Sequence, residues 1–482
     1  MLLKACEDYL FEVKNDAFMT REFNVLAPLA EALALTTNYN NKNIILGALD
    51  LMGPIDLDAL KMAVSDLGNL FPQIKAHLKE FKVQRKYCLT WEFMSSSDVP
   101  LFVSDVSENN ESSSGLEILL DSLESRLNRE RDVFREPASE FHLLRFDENR
   151  HSLACIMWHP AGDAVRLAEI VKALMARYHE LVVREKAVFS NFPMFVSTGS
   201  KRFVRNQKTR LTDYRKTFHQ AIIPYTRCSI PNGNGVPGDF REHYVKRLFP
   251  VNETGDVVSK ATKIRVPFVD YLLAVVCIAV DRWNAIRKAE SSMLSAALTV
   301  NMQGRFRDQE GPNNDSVLYF QFSQEQRKDP KTLARMVYRF RMRKFREAAD
   351  LKYSKGLAKL NSFLRIFPFN IRQKAYLKIL QRHQTSFALG FMGVLWPESH
   401  GRRISGDSYL RSVGGLDVTE AYGMAYRIVS STPLYLTAYF FRKRLNLILS
   451  AAAWQFTKEE AQAFLDMIAD IMTSYGSGDS GG

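Results

Sequence analysis

Residues 134–164 read FREPASEFHLLRFDENRHSLACIMWHPAGDA, and this stretch decides the fold. Phe141 to Phe146 and Ser152 to Trp158 are two apolar, strand-like runs, with the turn residues DENRH between them. The second run ends in WHPAGDA, where Pro160 and Gly162 force an irregular turn. From Ala164 to Val182 the apolar spacing becomes helical. Of nine histidines, only His159 has an aspartate four positions on, Asp163. A strand-turn-helix junction of this kind presents its histidine at the edge of an element, within reach of a cleft. A neutral imidazole there can take a proton from a hydroxyl or amine. The plainer alternative is a hydrogen-bonded core histidine.

Working outward, Asn43 to Met52 (NIILGALDLM) has strand character, and Gly53 and Pro54 end it. Asp56 is placed to cap a helix whose apolar positions are Leu57, Leu60, Met62, Val64 and Leu67. Periodicity fades from Arg184 to about Gln220, where basic and polar residues accumulate, so residues 186–220 are taken as an inter-lobe connection. PNGNGVPGDF (Pro231 to Phe240) has the composition of an exposed loop. Val266 to Trp283 has the pattern of a buried helix and Ala296 to Met302 that of a strand. Further strands are expected around Tyr422 to Ser450, and a last helix over Lys458 to Met472. This organisation gives one lobe over 1–185, a second over 221–475 and a flexible tail over 476–482.

A chain of 482 residues with 46% hydrophobic and 24% charged side chains is globular and large enough for more than one core. Disordered, collagenous and low-complexity classes are excluded. The five cysteines (Cys6, Cys88, Cys155, Cys228, Cys277) lie far apart without CxxC spacing, so a disulfide framework or a metal site is not expected. The opening MLLKACEDYLFEV has acids where a signal peptide would stay apolar. The longest apolar run, Tyr271 to Val280, is about half of the ~20 residues that span a bilayer. These features point to a cytoplasmic protein with buried free thiols.

The order of these segments resembles the chloramphenicol-acetyltransferase-like superfamily, which includes condensation domains of peptide synthetases and wax-ester, polyketide-associated and BAHD acyltransferases. The family motif HHxxxDG ends a strand. Here Trp158 stands at the first histidine, His159 at the second, Asp163 at the aspartate and Ala164 at the glycine. The stretch from Ile44 to Leu78 is similar to the family's opening strand, helix and H-P-x-L-R turn, with Phe71 at that histidine. VPFVDYLLAVVCIAVDRW (Val266 to Trp283) resembles the long buried helix of the second lobe, and LTVNMQGRFR (Leu298 to Arg307) its V-N-x-R-x-R strand. The BAHD marker D-F-G-W-G is not present, which argues against that branch.

The resemblance implies a mixed α+β (α/β) fold of two such lobes in a V shape, with a channel between them and His159 halfway along as general base. It also implies that Asp163 is structural and pairs with an arginine of the V-N-x-R-x-R strand. Gln303 replaces the first of those arginines, which leaves Arg305. Gly162 and Trp158 would support the loop. TSFALGFMGVL (Thr385 to Leu395) corresponds to the family's later active-site segment, where Thr385 or Ser386 could help an oxyanion. No permanently bound cofactor and no metal are implied. The donor would be acyl-CoA or a phosphopantetheine-linked acyl thioester on an acyl-carrier protein, and the acceptor a hydroxyl-bearing small molecule or lipid. Ester formation is the leading expectation. The alternatives are a free-standing condensation enzyme that forms an amide, or a non-catalytic binding or scaffold descendant of the fold.

The formal charge of +12 is concentrated in one window. Between Lys331 and Arg382 stand 15 Lys or Arg and only two acids, Glu347 and Asp350. Three readings stay open for 331–382: docking an acidic carrier protein or the phosphates of CoA, lying peripherally on an anionic membrane, or covering the second lobe with solvated cations. Nucleic acid is not expected, since no binding module or stacking platform accompanies the charge.

Overall fold

The computed structural model describes residues 26, 28–37, 42–83, 85–93, 99–106, 115–183, 228–301, 315–381, 384–395, 412–425 and 432–474. The inter-lobe connection expected at 186–220, the tail at 476–482 and Cys6 lie outside these residues.

The first half of the chain contains α1 (Pro28–Thr36), β1 (Ile44–Met52), α2 (Leu57–Leu70), β2 (Ala76–Val83), β3 (Lys86–Phe93), β4 (Leu101–Asp105) and α3 (Gly115–Asn128). It continues with β5 (Ser139–Arg145), β6 (Arg150–Trp158) and α4 (Ala164–Val183). Asp56 caps α2 as expected, its carboxylate accepting from the backbone N–H groups of Asp58 and Ala59 at 3.1 and 3.0 Å. The second half contains β7 (Glu242–Leu248), α5 (Val251–Lys263), α6 (Phe268–Ile286), β8 (Met293–Asn301), β9 (Asp315–Ser323), α7 (Pro330–Arg346), α8 (Ala349–Leu364) and α9 (Phe369–Gln381). It closes with β10 (Phe387–Val394), β11 (Ser412–Val413), β12 (Leu416–Ala425), β13 (Leu434–Phe441), β14 (Arg444–Ala452) and α10 (Lys458–Ser474).

Two six-stranded sheets organise the two lobes, in the orders β11-β12-β1-β6-β5-β4 and β7-β14-β13-β10-β8-β9. In the first, β1 lies antiparallel between β6 and β12, with Leu46 opposite both Ile156 and Met424. β6 is buried over Ser152–Trp158 because α3 and α4 both pack against it. In the second, β10 runs parallel to both β8 and β13. The apolar α6 is buried on nearly all sides between α7 and α10, as a helix hydrophobic all round must be. Each lobe has its own apolar core.

Two features differ from the sequence-based division. Residues 412–425 fall in the stretch assigned to the second lobe, yet β11 and β12 complete the first sheet. β1 offers a free edge beside β6, and a strand from the other half satisfies its backbone groups.

The basic window also does more than cover the second lobe. It forms α7, α8 and α9, and the last two pack on α1 of the first lobe. Glu31 in α1 accepts from Arg365 at 2.7 Å and Arg372 at 2.6 Å, and Arg372 also reaches Glu80 of β2 at 2.9 Å. Arg341 holds Asp270 of α6 in a bidentate pair at 2.7 and 2.8 Å. These three arginines are structural cross-links. A lone charge in such places would be costly, so each sits against a carboxylate.

Cys88, Cys155 and Cys277 are buried and Cys228 is half-buried, and none of the four is in a disulfide. Among the described residues no helix is long and apolar enough to cross a membrane, and no group of His, Cys, Asp and Glu could hold a metal ion.

Candidate active site

His159 opens a 3-10 turn, His159–Ala161, directly after β6. Its backbone N–H donates to the Asn43 carbonyl at 2.7 Å, which fixes the turn to the residue that precedes β1. Asn43 has φ +48, a left-handed conformation that asparagine tolerates better than most residues. Its amide donates to the Leu33 carbonyl and the Thr36 hydroxyl, both at 2.8 Å, and to the Thr37 hydroxyl at 3.2 Å. The Trp158 indole N–H also donates to Thr37, at 2.9 Å, and its ring meets Trp91 edge-on at 6.0 Å. Trp158 is therefore a scaffold residue that clamps the end of α1 to the end of β6.

The turn shapes the histidine. Gly162 is extended (φ 175), which any residue adopts, but a Cβ there would lie 2.6 Å from Arg166 Cγ and 2.9 Å from Arg166 Cβ. Only glycine leaves room. The Gly162 carbonyl lies 3.2 Å from His159 Nδ1. A carbonyl can only accept, so Nδ1 carries the proton and the basic lone pair falls on Nε2. Burial holds the imidazole below its usual pKa, because the charged form loses water; Asp163 opposes this more weakly. The buried Asp163 caps α4 by accepting the Arg166 N–H at 2.9 Å. Arg305, its expected partner, lies outside the described residues.

Two cavities meet at His159. An inner chamber is walled by α1 (Leu29, Ala32, Leu33), α8 (Tyr353, Leu357) and Tyr376 of α9, with strands of the second sheet opposite. An outer chamber lies between β1 and α4 on one side and β10 and β12 on the other. His159, Thr299, Asp315 and Tyr435 line both chambers. The histidine comes from one lobe and the other three from the second sheet, so the junction is an inter-lobe surface.

The residues facing His159 were not singled out by sequence reasoning. Tyr435 and Thr299 share a hydrogen bond at 3.1 Å, and burial pushes the Tyr435 phenol up to about 12, so it stays protonated. The Asp315 carboxyl is held well above the usual carboxylate range, first by burial and then by the negative charge of Asp163. Its carboxyl, which lines both chambers, therefore resists ionisation more than an exposed aspartate does. The only sequence signal for Asp315 was an isolated acid opening the alternating run DSVLYFQF.

Thr385 lines the inner chamber, where its hydroxyl shares a hydrogen bond with Thr432 at 2.5 Å. Ser386 does not reach a chamber among the described residues. Its hydroxyl donates to the Ser229 carbonyl at 2.5 Å and accepts the Ser295 N–H at 3.0 Å. The Ser386 hydroxyl thus links the residue before β10 to the backbone of Ser229 and to Ser295 of β8.

No protein-family model and no curated protein matches the sequence. Solved structures do. Trichothecene 15-O-acetyltransferase from Fusarium sporotrichioides aligns over 94% of this chain and 95% of its own, with TM-score 0.64 and 13% identity. The X-domain from teicoplanin biosynthesis gives 0.58 and 14% over 94% and 95%. Polyketide synthase associated protein 5 from Mycobacterium tuberculosis gives 0.59 and 13% over 94% and 97%. The chain therefore has the mixed α+β, two-lobed fold of condensation-type and chloramphenicol-acetyltransferase-like domains. At these identities the likeness is one of fold.

Proposed function

We propose that this protein is an acyltransferase that moves an acyl group from a CoA or carrier-protein thioester to a hydroxyl acceptor, with His159 as general base. The observation that carries this reading is His159 at the meeting point of two chambers, with Nδ1 3.2 Å from the Gly162 carbonyl, a contact that assigns the basic lone pair to Nε2. Two reactants can then approach one base from separate sides, which removes much of the entropic barrier to their encounter.

In the reaction the acceptor oxygen attacks the thioester carbon while its proton passes to Nε2. The carbonyl electrons become an oxyanion, for which the Tyr435 and Thr299 hydroxyls are candidate donors. When the carbonyl re-forms, the C–S bond breaks and the imidazolium returns its proton to the departing thiolate. The products are an ester and a free thiol. Donor and acceptor are both substrates, and no step uses a metal or a resident cofactor.

The test compares wild type with His159→Ala on a panel of acyl thioesters and alcohols, following release of free thiol. Loss of a general base should lower turnover by about 10²–10⁴-fold. Equal turnover by the two proteins would exclude general-base catalysis by His159, and absence of turnover in both would leave the fold a binding role.

A further inference from the structure

The turn between α8 and α9, with the helix ends that flank it, carries four exposed apolar side chains: Phe363 at the end of α8 is 59% exposed, Ile366 48% and Phe367 37% in the turn, and Ile371 at the start of α9 50%. Clustered apolar side chains in water mark an interaction surface. Phe369, two residues from Ile371, is buried and stacks edge-on against Phe134 at 4.9 Å.

The surroundings of the tip are cationic. From Leu351 to Arg382 the sequence holds eight Lys or Arg and no Asp or Glu. Arg365 and Arg372 are spent on Glu31, but Lys374 and Lys378 are exposed. They follow Ile371 at helical spacing, so one face of α9 runs from apolar tip to lysines. The β2–β3 hairpin lies alongside, since the Tyr87 N–H donates to the Arg365 carbonyl at 2.6 Å, and it adds the exposed Lys82 and Arg85. Glu80, the acid of that hairpin nearest the tip, is paired with Arg372.

We propose that the α8–α9 tip is a docking surface for an anionic lipid bilayer, with Phe363, Ile366, Phe367 and Ile371 entering the interface and Lys82, Arg85, Lys374 and Lys378 meeting headgroup phosphates. Large apolar side chains rimmed by cations, in a stretch that holds no acid from Leu351 to Arg382, suit the acyl–headgroup boundary of an anionic bilayer. The same helices carry Leu357 and Tyr376, which wall the inner chamber. From Leu357 to Phe363 is about 9 Å of helix, so the tip stands close to a wall of the chamber that His159 lines.

The test is sedimentation of the full chain with phosphatidylcholine vesicles, with and without phosphatidylglycerol, at low and high salt. Binding should require phosphatidylglycerol and weaken with salt. F363S/I371S and K374Q/K378Q should each weaken it on the order of tenfold while keeping the wild-type melting curve. His159→Ala should bind as wild type, which separates docking from the transferase reading. The proposal is overturned if wild type stays in solution with phosphatidylglycerol at low salt, or if the tip variants sediment like wild type. It is also overturned if size exclusion shows the tip sealed in a dimer that F363S/I371S dissociates, or if an acidic carrier protein binds the tip and the vesicles do not.

Discussion

Arg372 and Glu31 form an ion pair at 2.6 Å in which neither side chain is exposed, and it joins the last helix of the basic window to the first described helix of the other lobe. Glu31 is the hub, because it also holds Arg365 at 2.7 Å. The two partners are therefore unequal. Arg372→Met leaves Glu31 compensated by Arg365, whereas Glu31→Gln leaves two buried guanidiniums without the carboxylate between them. Breaking a buried pair costs about 3–5 kcal/mol, so Glu31→Gln should sit at the upper end and Arg372→Met at the lower. Urea denaturation of the two variants checks the order, and equal midpoints would contradict it.

This network also marks what the sequence could and could not disclose. The strand, turn and helix around WHPAGDA were legible because their periods change from 2 to 3.6 within a few residues. The charge of 331–382 was legible as a total, but not which cations are buried, since pairing with Glu31 or Asp270 depends on tertiary contact. β12 joining β1 has no local signature either, because Leu46 and Met424 meet from opposite ends of the chain. Asn43 was hidden for a different reason: its left-handed φ and its three amide hydrogen bonds arise only once α1 folds back.

Gly162 should tolerate no side chain. An added Cβ meets the stem of Arg166, not its mobile end, so Gly162→Ala must shift either α4 or the turn. Overpacking of this kind costs about 1–3 kcal/mol. The Gly162 carbonyl orients His159 Nδ1, so the same shift should also lower kcat by on the order of tenfold with little change in KM. Thermal melts with steady-state kinetics read both effects; a stable variant with full kcat would show that the turn does not position the base.

The buried environment of His159 fixes the direction of its pH dependence. Burial disfavours the imidazolium, so the folded protein takes up this proton at a lower pH than an exposed histidine, whose pKa is about 6.5. The base form persists through neutrality. kcat/KM should be flat from pH 8 down to about 6.5 and fall only below that. An acid limb centred above 6.5 contradicts the assignment. The linked stability term has the same sign: this group's contribution is present above the unfolded pKa and is lost as pH falls from there through the lower folded pKa.

Asp315 gives the opposite slope. Its folded pKa is raised, first by burial and then by Asp163, so its contribution to stability is fully present below the unfolded value near 3.9. As pH rises the unfolded chain ionises freely while the folded chain resists, and folding loses ground until the folded carboxyl itself ionises. Asp315→Asn has nearly the same shape and no ionisable proton, so it escapes this loss. The variant should therefore be more stable than wild type at pH 8 and gain nothing at pH 4, as read from denaturant midpoints at the two values. A variant that loses stability equally at both would mean that the carboxyl serves the fold through a contact asparagine cannot reproduce, and not through its resistance to ionisation.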